Sequence, residues 1–322
     1  MPRKPSKTAP EKSYSDFIQP FLIDRSAIRG RLVRLEKSVN DILSAHNYPE
    51  AVSLHLAEQI VLASLLSATL SDGGILTVQA KGDGAVRFIV VDVMAGGTIR
   101  GYAEVDKAAL KKLGSKAADL SKILGKSYLA VTLDQGGESN QRYQGIVELS
   151  GNTLSEAFKG YFFQSQQAEI AVHVAVRAPD KYHKAWRAGG IIIERMPSEG
   201  GHEMEMSSEE QDELWNRTQL FMRTLKDEEM LSHHVTPQNL LYRLFNQDGV
   251  WVYKLQPLKS GCRCSRERVK SVLKSIPKKE LSTMLSDGKL TIDCQFCNKK
   301  EVFTKTDVDK LYRKPVKSQK AK

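Results

Sequence analysis

The sequence predicts an α+β protein: an N-terminal antiparallel-sheet core domain with packed helices, then a helical linker and a small C-terminal domain. Three observations predict this order. Strand-like runs of similar length, separated by turn residues, recur up to residue 196, and a long helical pattern begins at Pro49. All four cysteines of the 322-residue chain lie after residue 261. With 41% hydrophobic residues, the chain can bury a sizeable core.

The core domain is predicted over residues 14–196, after a short disordered arm at 1–13. Its long helix follows Pro49, where apolar residues recur at three- and four-residue steps until Gly73-Gly74. Another helix is expected from Thr153 to about Gln167. The predicted strands are ILTVQAKG, AVRFIVVDV, TIRGYAEV, SYLAVTL, RYQGIVELS, EIAVHVAVR and GGIIIERMP. This succession, whose first two members are joined by a Gly-Asp-Gly hairpin signal, is typical of antiparallel sheets with packed helices.

The linker is predicted over residues 197–257 as two amphipathic helices. Ser207 with Glu210, and Ser208 with Gln211, have the spacing of a capping box, and Thr236-Pro237 is a favoured start for the second helix. The apolar stripes of the two helices consist of Leu214, Trp215, Phe221, Met222 and Leu225, and of Leu240, Leu241, Leu244 and Phe245. Such stripes usually pack as core, so an ordinary helical hairpin is the default interpretation.

Positive charge is concentrated in the C-terminal region. The chain has a net charge of +10, and residues 259–322 alone contain 18 Lys and Arg against 7 Asp and Glu. The remainder of the chain is therefore close to neutral. A basic region can indicate nucleic acid, but a charge run is more often a solvated face. The C-terminal domain is predicted over 258–312, followed by a basic tail at 313–322.

The four cysteines form two close pairs, Cys262-Arg263-Cys264 and Cys294-Gln295-Phe296-Cys297, with 29 residues between them. Two pairs of thiolates, each presented by one tight turn, suit tetrahedral zinc. All seven histidines lie at or before His234, so the predicted site is Cys₄ with one Zn²⁺ per chain. Such a closed site argues against hydrolytic zinc chemistry, which keeps a position for water.

Spacing alone favours a purely structural zinc site, but two features indicate redox chemistry. The C-x-C pair is tighter than the usual C-x₂-C knuckle, and oxidation has a short route within each pair, Cys262–Cys264 and Cys294–Cys297. Arg263, Arg266 and Arg268 would also favour thiolates by proximity. Zinc loss removes on the order of 10 kcal/mol of folding energy from such a domain.

The stretch from Asn239 to Asn298, with C-x-C-S-R-E-R, a helical spacer and C-x-x-C, resembles the 33 kDa chaperonin family of redox-regulated heat shock holdases. Upstream segments agree: IRGRLVRL, HNYPEAV, VQAKGDG, IRGYAEVD, RYQGIVELSGNTLSEAF and YFFQSQQ. The resemblance covers about 14–312, with Gln166 departing from a common Glu. It implies that Cys262, Cys264, Cys294 and Cys297 bind zinc in a reduced, inactive monomer.

By the same resemblance, oxidants with heat form the two disulfides and release zinc. The C-terminal domain and linker then unfold, and a homodimer binds unfolding clients without ATP. Trp215, Phe221, Leu240 and Leu241 are our hypothesis for client-binding residues. The chain is expected to be cytoplasmic, because no signal peptide or membrane span is recognised in it, and not to be an enzyme.

Three alternatives are weaker. A zinc-ribbon nucleic-acid-binding protein would explain the basic C-terminal region, but Phe296, Phe303 and Tyr312 are expected to form a small core rather than stack on bases. A thiol oxidoreductase would place C-x-x-C in a βαβ pattern, which is not found around Cys294. A hydrolase lacks a partner signature for its scattered histidines, His46, His55, His173 and His183.

Overall fold

The computed structural model describes residues 15–114, 119–136, 142–149, 151, 153–166, 168–196 and 207–312. The predicted arm (1–13), the basic tail (313–322) and the start of the predicted linker (197–206) lie outside the described residues. The chain forms two compact units, Met1–Gly261 and Cys262–Lys322.

The strands and helices are numbered along the chain. The strands are β1 (Phe17–Ile23), β2 (Ile28–Leu35), β3 (Ile75–Gly82), β4 (Val86–Met94), β5 (Thr98–Val105), β6 (Ser127–Asp134), β7 (Arg142–Glu148), β8 (Ile170–Arg177), β9 (Arg187–Arg195), β10 (Val250–Val252), β11 (Gln256–Pro257), β12 (Lys259–Ser260), β13 (Lys289–Asp293) and β14 (Lys300–Thr304). The helices are α1 (Lys37–Ser44), α2 (Glu50–Leu66), α3 (Lys107–Leu113), α4 (Leu120–Leu124), α5 (Leu154–Tyr161), α6 (Ser208–Arg223), α7 (Asp227–Met230), α8 (Pro237–Phe245), α9 (Arg266–Lys274), α10 (Lys278–Thr283) and α11 (Lys305–Leu311).

The first unit contains two sheets. The first sheet has the order β10-β1-β2-β9-β8, with β11 also pairing with β1, and its pairs are antiparallel. The second sheet has the order β12-β5-β4-β3-β6-β7 and is antiparallel except for the short parallel pair of β12 with β5. The predicted α+β class with an antiparallel-sheet core is therefore confirmed.

Helix α2 forms the centre of the core between the sheets. It contacts strands of both sheets and is buried along most of its length, with Leu56, Ile60 and Val61 fully covered. A helix that is apolar on nearly every side must be enclosed on nearly every side, which two facing sheets achieve. The long helix predicted to follow Pro49 is thus confirmed, with Pro49 as its N-cap.

Helices α6, α7 and α8 pack on the first sheet through a second core, distinct from the one around α2. The rings of Phe21 in β1 and Phe245 in α8 stack with centroids 5.7 Å apart. Ser207 is the N-cap of α6 and forms a full capping box with Glu210. The described part of the predicted linker therefore belongs to the first unit.

Several features differ from the sequence prediction. Strands β1 and β2 were not predicted; Pro20 lies within β1, and β2 contains three arginines among its eight residues. The predicted helix from Thr153 becomes π-helical at 162–166. Residues 258–261, assigned to the C-terminal domain, lie in the first unit because β12 pairs with β5. No helix in the described ranges is long and apolar enough to cross a membrane.

Candidate metal centre

The second unit is a small scaffold built on the β13–β14 hairpin. Its helices α9, α10 and α11 surround a core of five buried side chains among the described residues: Leu273, Leu281, Leu290, Phe303 and Val308. Thr304 begins α11 with a capping box, in which its side chain and that of Asp307 bond each other's backbone N–H. So small an apolar core gives little stability on its own.

The first cysteine pair lies immediately before α9. Ser265 is the N-cap of this helix, and its hydroxyl accepts a hydrogen bond from the backbone N–H of Arg268. Cys262 and Cys264 therefore lie near the positive end of the helix dipole, which favours the thiolate form.

The second pair lies in the turn between β13 and β14. The backbone N–H of Cys294 donates to the Lys299 carbonyl at 3.0 Å, and that of Asn298 donates to the Cys294 carbonyl at 2.7 Å. Asn298 has φ +55°, a left-handed conformation that Asn tolerates better than most residues. The turn brings Cys294 and Cys297 to one place.

The fold brings all four sulfur atoms together, within 4.8 Å of one another. The Sγ atoms of Cys262 and Cys294 are 3.6 Å apart, and those of Cys264 and Cys297 are 3.4 Å apart. Tetrahedral zinc with four sulfur ligands requires separations of about 3.8 Å. The four predicted residues, each half-buried, therefore fit a metal ion of this kind.

The four thiols do not share one environment. Burial opposes ionisation of Cys262, but hydrogen bonds from the Cys264 backbone and the neighbouring thiols outweigh it and lower the pKa of Cys262 to about 7. Burial and the hydrogen bonds with Cys297 raise the pKa of Cys264, and burial also raises that of Cys297. The surroundings of Cys262 thus favour its thiolate, whereas those of Cys264 and Cys297 favour the thiol.

For Arg266, the structure differs from the expectation that Arg263, Arg266 and Arg268 favour the thiolates by proximity. The Arg266 guanidinium lies 4.3 Å from the centroid of the Phe303 ring and pairs with Glu301 and Asp307 at 3.3 and 3.4 Å. Its charge is therefore matched by carboxylates. Lys299 was not singled out; its pKa is raised, first by its hydrogen bond to Glu301 and further by the charges of Cys264 and Cys297.

Aromatic side chains of this unit mostly serve its core. Phe303 is fully buried, and Tyr312 packs against the same cluster while its hydroxyl donates to the Leu273 carbonyl at 3.0 Å. Phe296 is half-buried. Base stacking, which a nucleic-acid-binding surface would need, therefore gains no support from these three rings.

Comparison with known proteins agrees with the resemblance. The family model described as Hsp33 protein matches residues 16–304. The chain belongs to the Hsp33 family, a family of heat shock chaperones. It is 37% identical to the 33 kDa chaperonin of Caulobacter vibrioides over 88% of this chain and 93% of that protein. It is 35% identical to the 33 kDa chaperonin of Pseudomonas syringae pv. tomato over 92% and 93%.

A solved structure of the family shows the same fold. The crystal structure of the 33 kDa chaperonin from Thermotoga maritima matches with a TM-score of 0.77 at 23% identity, covering 92% of this chain and 97% of that one. The α+β architecture is therefore shared between the two Hsp33 chains.

The residues that we predicted to bind clients lie in the second core of this Hsp33 chain. Trp215, Leu240 and Leu241 are buried there, and Phe221 is partly buried against the same cluster. Three of these four side chains are therefore covered in the described structure, and Phe221 is partly exposed.

Two arginines of the first sheet bind the segment that joins α6 to α8. Arg34 donates to the carbonyl oxygens of Met230 at 2.7 Å, Glu229 at 3.0 Å and Val235, while Arg187 donates to that of Leu231. Burial, together with the Arg187 charge, lowers the pKa of Arg34 to about 10. Neither role can be recognised in the sequence, because a bond to a backbone carbonyl requires no particular residue type in the partner.

Proposed function

We propose that this chain is a redox-regulated, ATP-independent holdase of the cytoplasm. In its reduced form it is an inactive monomer with one zinc ion, and after oxidation it becomes a homodimer that binds unfolded or partly folded proteins. The observation that carries the proposal is the four-sulfur cluster, with sulfur atoms within 4.8 Å, in a unit with a very small apolar core.

The cluster would stabilise the second unit by joining its two halves. Cys262 and Cys264 hold the metal from the start of α9, and Cys294 and Cys297 hold it from the β13–β14 turn. Bound zinc would cross-link these two turns and keep all four sulfurs as thiolates. The thiolate is also the form that oxidants attack.

Oxidation replaces this cross-link by two local bonds. We expect disulfides Cys262–Cys264 and Cys294–Cys297, each formed as one pair of thiolates loses two electrons and forms a new S–S bond. With hydrogen peroxide as the oxidant, the O–O bond breaks, the peroxide takes up these two electrons and two protons from solvent, and two molecules of water form per disulfide. Neither disulfide connects α9 to the β-hairpin, and no thiolate is left to hold the metal.

The second unit would then unfold, because its apolar core cannot replace the lost cross-link. Structural zinc contributes on the order of 10 kcal/mol, which is comparable to the whole stability of an average domain. The five buried side chains of this core provide only a small fraction of the apolar burial found in the first unit.

Loss of the second unit would next weaken the strands that precede it. Strands β12, β11 and β10 contain two, two and three residues and are the last elements before Cys262. Such short edge strands have little stability of their own. Their release would leave α6–α8 attached to the first sheet by the second core and the arginine contacts.

Detachment of α6–α8 would uncover apolar surface for clients. It would expose Trp215, Leu240 and Leu241, together with the first-sheet residues they cover, such as Phe21. A large exposed apolar patch is the expected property of a surface that binds unfolded chains. No ATP would be needed, because the free energy comes from oxidation and from burial of the client.

The decisive experiment measures zinc release and suppression of citrate synthase aggregation on the same samples, before and after peroxide at raised temperature. We expect one zinc per chain, lost as chaperone activity appears and recovered with reductant and zinc. The control is Lys274→Ser, at an exposed side chain at the far end of α9, which keeps all four thiols and should release zinc and gain activity as the original chain does. Zinc that stays bound, or that leaves without chaperone activity, would contradict the proposal and favour the nucleic-acid-binding alternative.

The client surface is tested by Phe221→Ser and Trp215→Ser in the fully oxidised protein, where loss of packing in the reduced form no longer matters. Both changes should weaken suppression of aggregation several-fold. The matched control is Leu220→Ser, because Leu220 is already 57% exposed and is not uncovered by detachment. An equal loss of aggregation suppression in Leu220→Ser and Phe221→Ser would show that the face of α6 that contains Phe221 does not bind clients.

A further inference from the structure

A cavity of about 560 Å³ lies in the first unit, away from the cysteines. It is bounded by both sheets, by Leu66 at the end of α2, and by Tyr161 and Phe162 at the end of α5. On the second sheet, its wall is apolar and includes Leu76, Val131 and Leu133. This is the size and character of a pocket for a small organic molecule.

The opposite wall contains charge in an otherwise apolar layer. Arg29 and Arg31 alternate along β2 with residues that face α6–α8, and they share the face of Val33 and Leu35, which belong to the core around α2. Both arginines line the cavity together with Glu194 of β9. The Arg29 side chain is 38% exposed, whereas the charge of Arg31 is buried and needs a partner, because desolvation is costly.

Glu194 is already occupied by Arg29. The Arg29 Nε and one terminal nitrogen each donate to a Glu194 carboxylate oxygen at 2.9 Å, a bidentate pair. The Arg31 side chain, only 7% exposed, reaches the same carboxylate at 3.4 Å and the Leu65 carbonyl at 3.4 Å. Both Arg31 bonds are longer than the usual 2.7–2.9 Å or so of a charge-assisted bond.

Among the described residues, the charged side chains that line the cavity therefore have an excess of positive charge. Two guanidinium groups face one carboxylate, and each guanidinium has N–H groups left over from the bonds described. Burial lowers the pKa of Arg31, and the Arg29 charge lowers it further, whereas Glu194 raises it. An anionic group placed at these N–H donors would complete the pairing.

We infer that this cavity binds an aliphatic monocarboxylate of medium chain length. Its carboxylate would accept hydrogen bonds from Arg31 and Arg29, and its chain would lie against Leu76, Val131 and Leu133. Charge complementarity determines the head group, and the apolar walls determine the chain. This inference is independent of the proposed redox switch.

The first test is isothermal titration calorimetry of the reduced, zinc-loaded full chain with decanoate and with decanol. Decanoate should bind at one site per chain, at least about tenfold more tightly than decanol, because the alcohol lacks the charge that Arg31 would pair. Equal affinity for the two compounds, or no saturable binding of decanoate, would overturn the inference.

Two substitutions then test the two walls. Arg31→Gln should weaken decanoate binding at least about tenfold and leave decanol unchanged. Because Arg31 is buried and its replacement could disturb folding, Leu133→Trp provides a second variant, which fills the cavity from the apolar side. Its matched control is Ile146→Trp in the same sheet, at a side chain that is 58% exposed and outside the cavity.

Leu133→Trp should abolish decanoate binding while Ile146→Trp binds it as the original chain does. Circular dichroism and the thermal midpoint show whether each variant is folded. A folded Leu133→Trp variant that binds decanoate normally would show that the acid binds elsewhere, and the inference would be wrong.

Discussion

The core around α2 and the core beside the cysteines solve the problem of stability in different ways. Among the described residues, the core around α2 contains 41 buried apolar residues, and the core beside the cysteines contains five. Burial of apolar surface increases faster than size, so the first unit can remain folded by packing alone. The second unit instead places four sulfur atoms within 4.8 Å of one another, and by our proposal it depends for its stability on the metal that would join them.

This difference indicates which part of a protein can act as a switch. A unit that is stable by its own packing stays folded, whereas a unit that depends on one cross-link can be unfolded by chemistry at that cross-link alone. The second core, which packs helices α6–α8 on the first sheet, is intermediate in size, with 18 buried apolar residues among those described.

The strongest test of the comparison is removal of the metal under reducing conditions. A zinc chelator at neutral pH should cost the second unit on the order of 10 kcal/mol and unfold it, while the first unit stays folded. Hydrogen exchange followed by mass spectrometry would show lost protection after Cys262 and retained protection in α2. Uniform protection in both units would show that the small core is sufficient.

A matched pair of core substitutions sharpens the comparison. Leu281→Ala in the second unit and Leu62→Ala in α2 remove the same side chain from fully covered positions, and each should cost about 2–5 kcal/mol. With the metal bound, Leu281→Ala should lower the thermal midpoint of its own unit more than Leu62→Ala lowers that of the first unit, because the same loss is a larger share of the stability of a small unit. Thermal unfolding of both variants with zinc bound, with hydrogen exchange followed separately in each unit, measures the two shifts. Equal shifts of the thermal midpoint in the two units would contradict the difference in stability between the large core and the small one.

The intermediate layer can be weakened through its polar contacts. Arg34→Gln removes a buried donor to three carbonyl oxygens and should cost about 3 kcal/mol. Hydrogen exchange should increase in α7 and α8 before it increases in α2, and the temperature at which peroxide activates the chaperone should fall. The control is Arg25→Gln, at a side chain that is 74% exposed. Unchanged exchange in α8 would show that apolar packing alone holds this layer.

The smallest effect is expected at the N-cap of α11. Thr304→Ala removes the hydroxyl half of the capping box and should destabilise the second unit by about 1 kcal/mol.

Bonds from the Thr304 backbone and side chain keep the pKa of Asp307 below its ordinary value. The stabilisation by Asp307 is therefore present above that ordinary value and is lost as the pH falls through the lower, folded value. The free energy of unfolding, measured at a series of acid pH values, should depend less on pH in Thr304→Ala than in the original chain.

Local patterns predicted most of the fold. The strand runs from Ile75 onward, the helix after Pro49 and the capping box at Ser207 depend on neighbouring residues and could be found in the sequence. The pairing of β1 with β10 joins residues far apart in the chain, so no local pattern contains it.

The four residues of the candidate metal centre could also be predicted from the sequence, because cysteine spacing alone identified them. The contacts of the surrounding charged side chains could not be predicted, because proximity in sequence does not fix the direction of a side chain. Arg266 lies two residues from Cys264 but points to Phe303, Glu301 and Asp307. The cavity beside Arg31 requires both sheets and could not be predicted from either one.

The arginine contacts of the first sheet have a consequence for sequence variation. Arg34 and Arg187 bind the carbonyl oxygens of residues 229, 230, 231 and 235, and every amino acid has such a carbonyl. Substitutions in this segment that preserve its backbone path, with Met230, Leu231 and Val235 kept apolar for the second core, should therefore be tolerated. Relatives can differ here in charge and size while retaining the same attachment, provided that the two guanidinium groups remain.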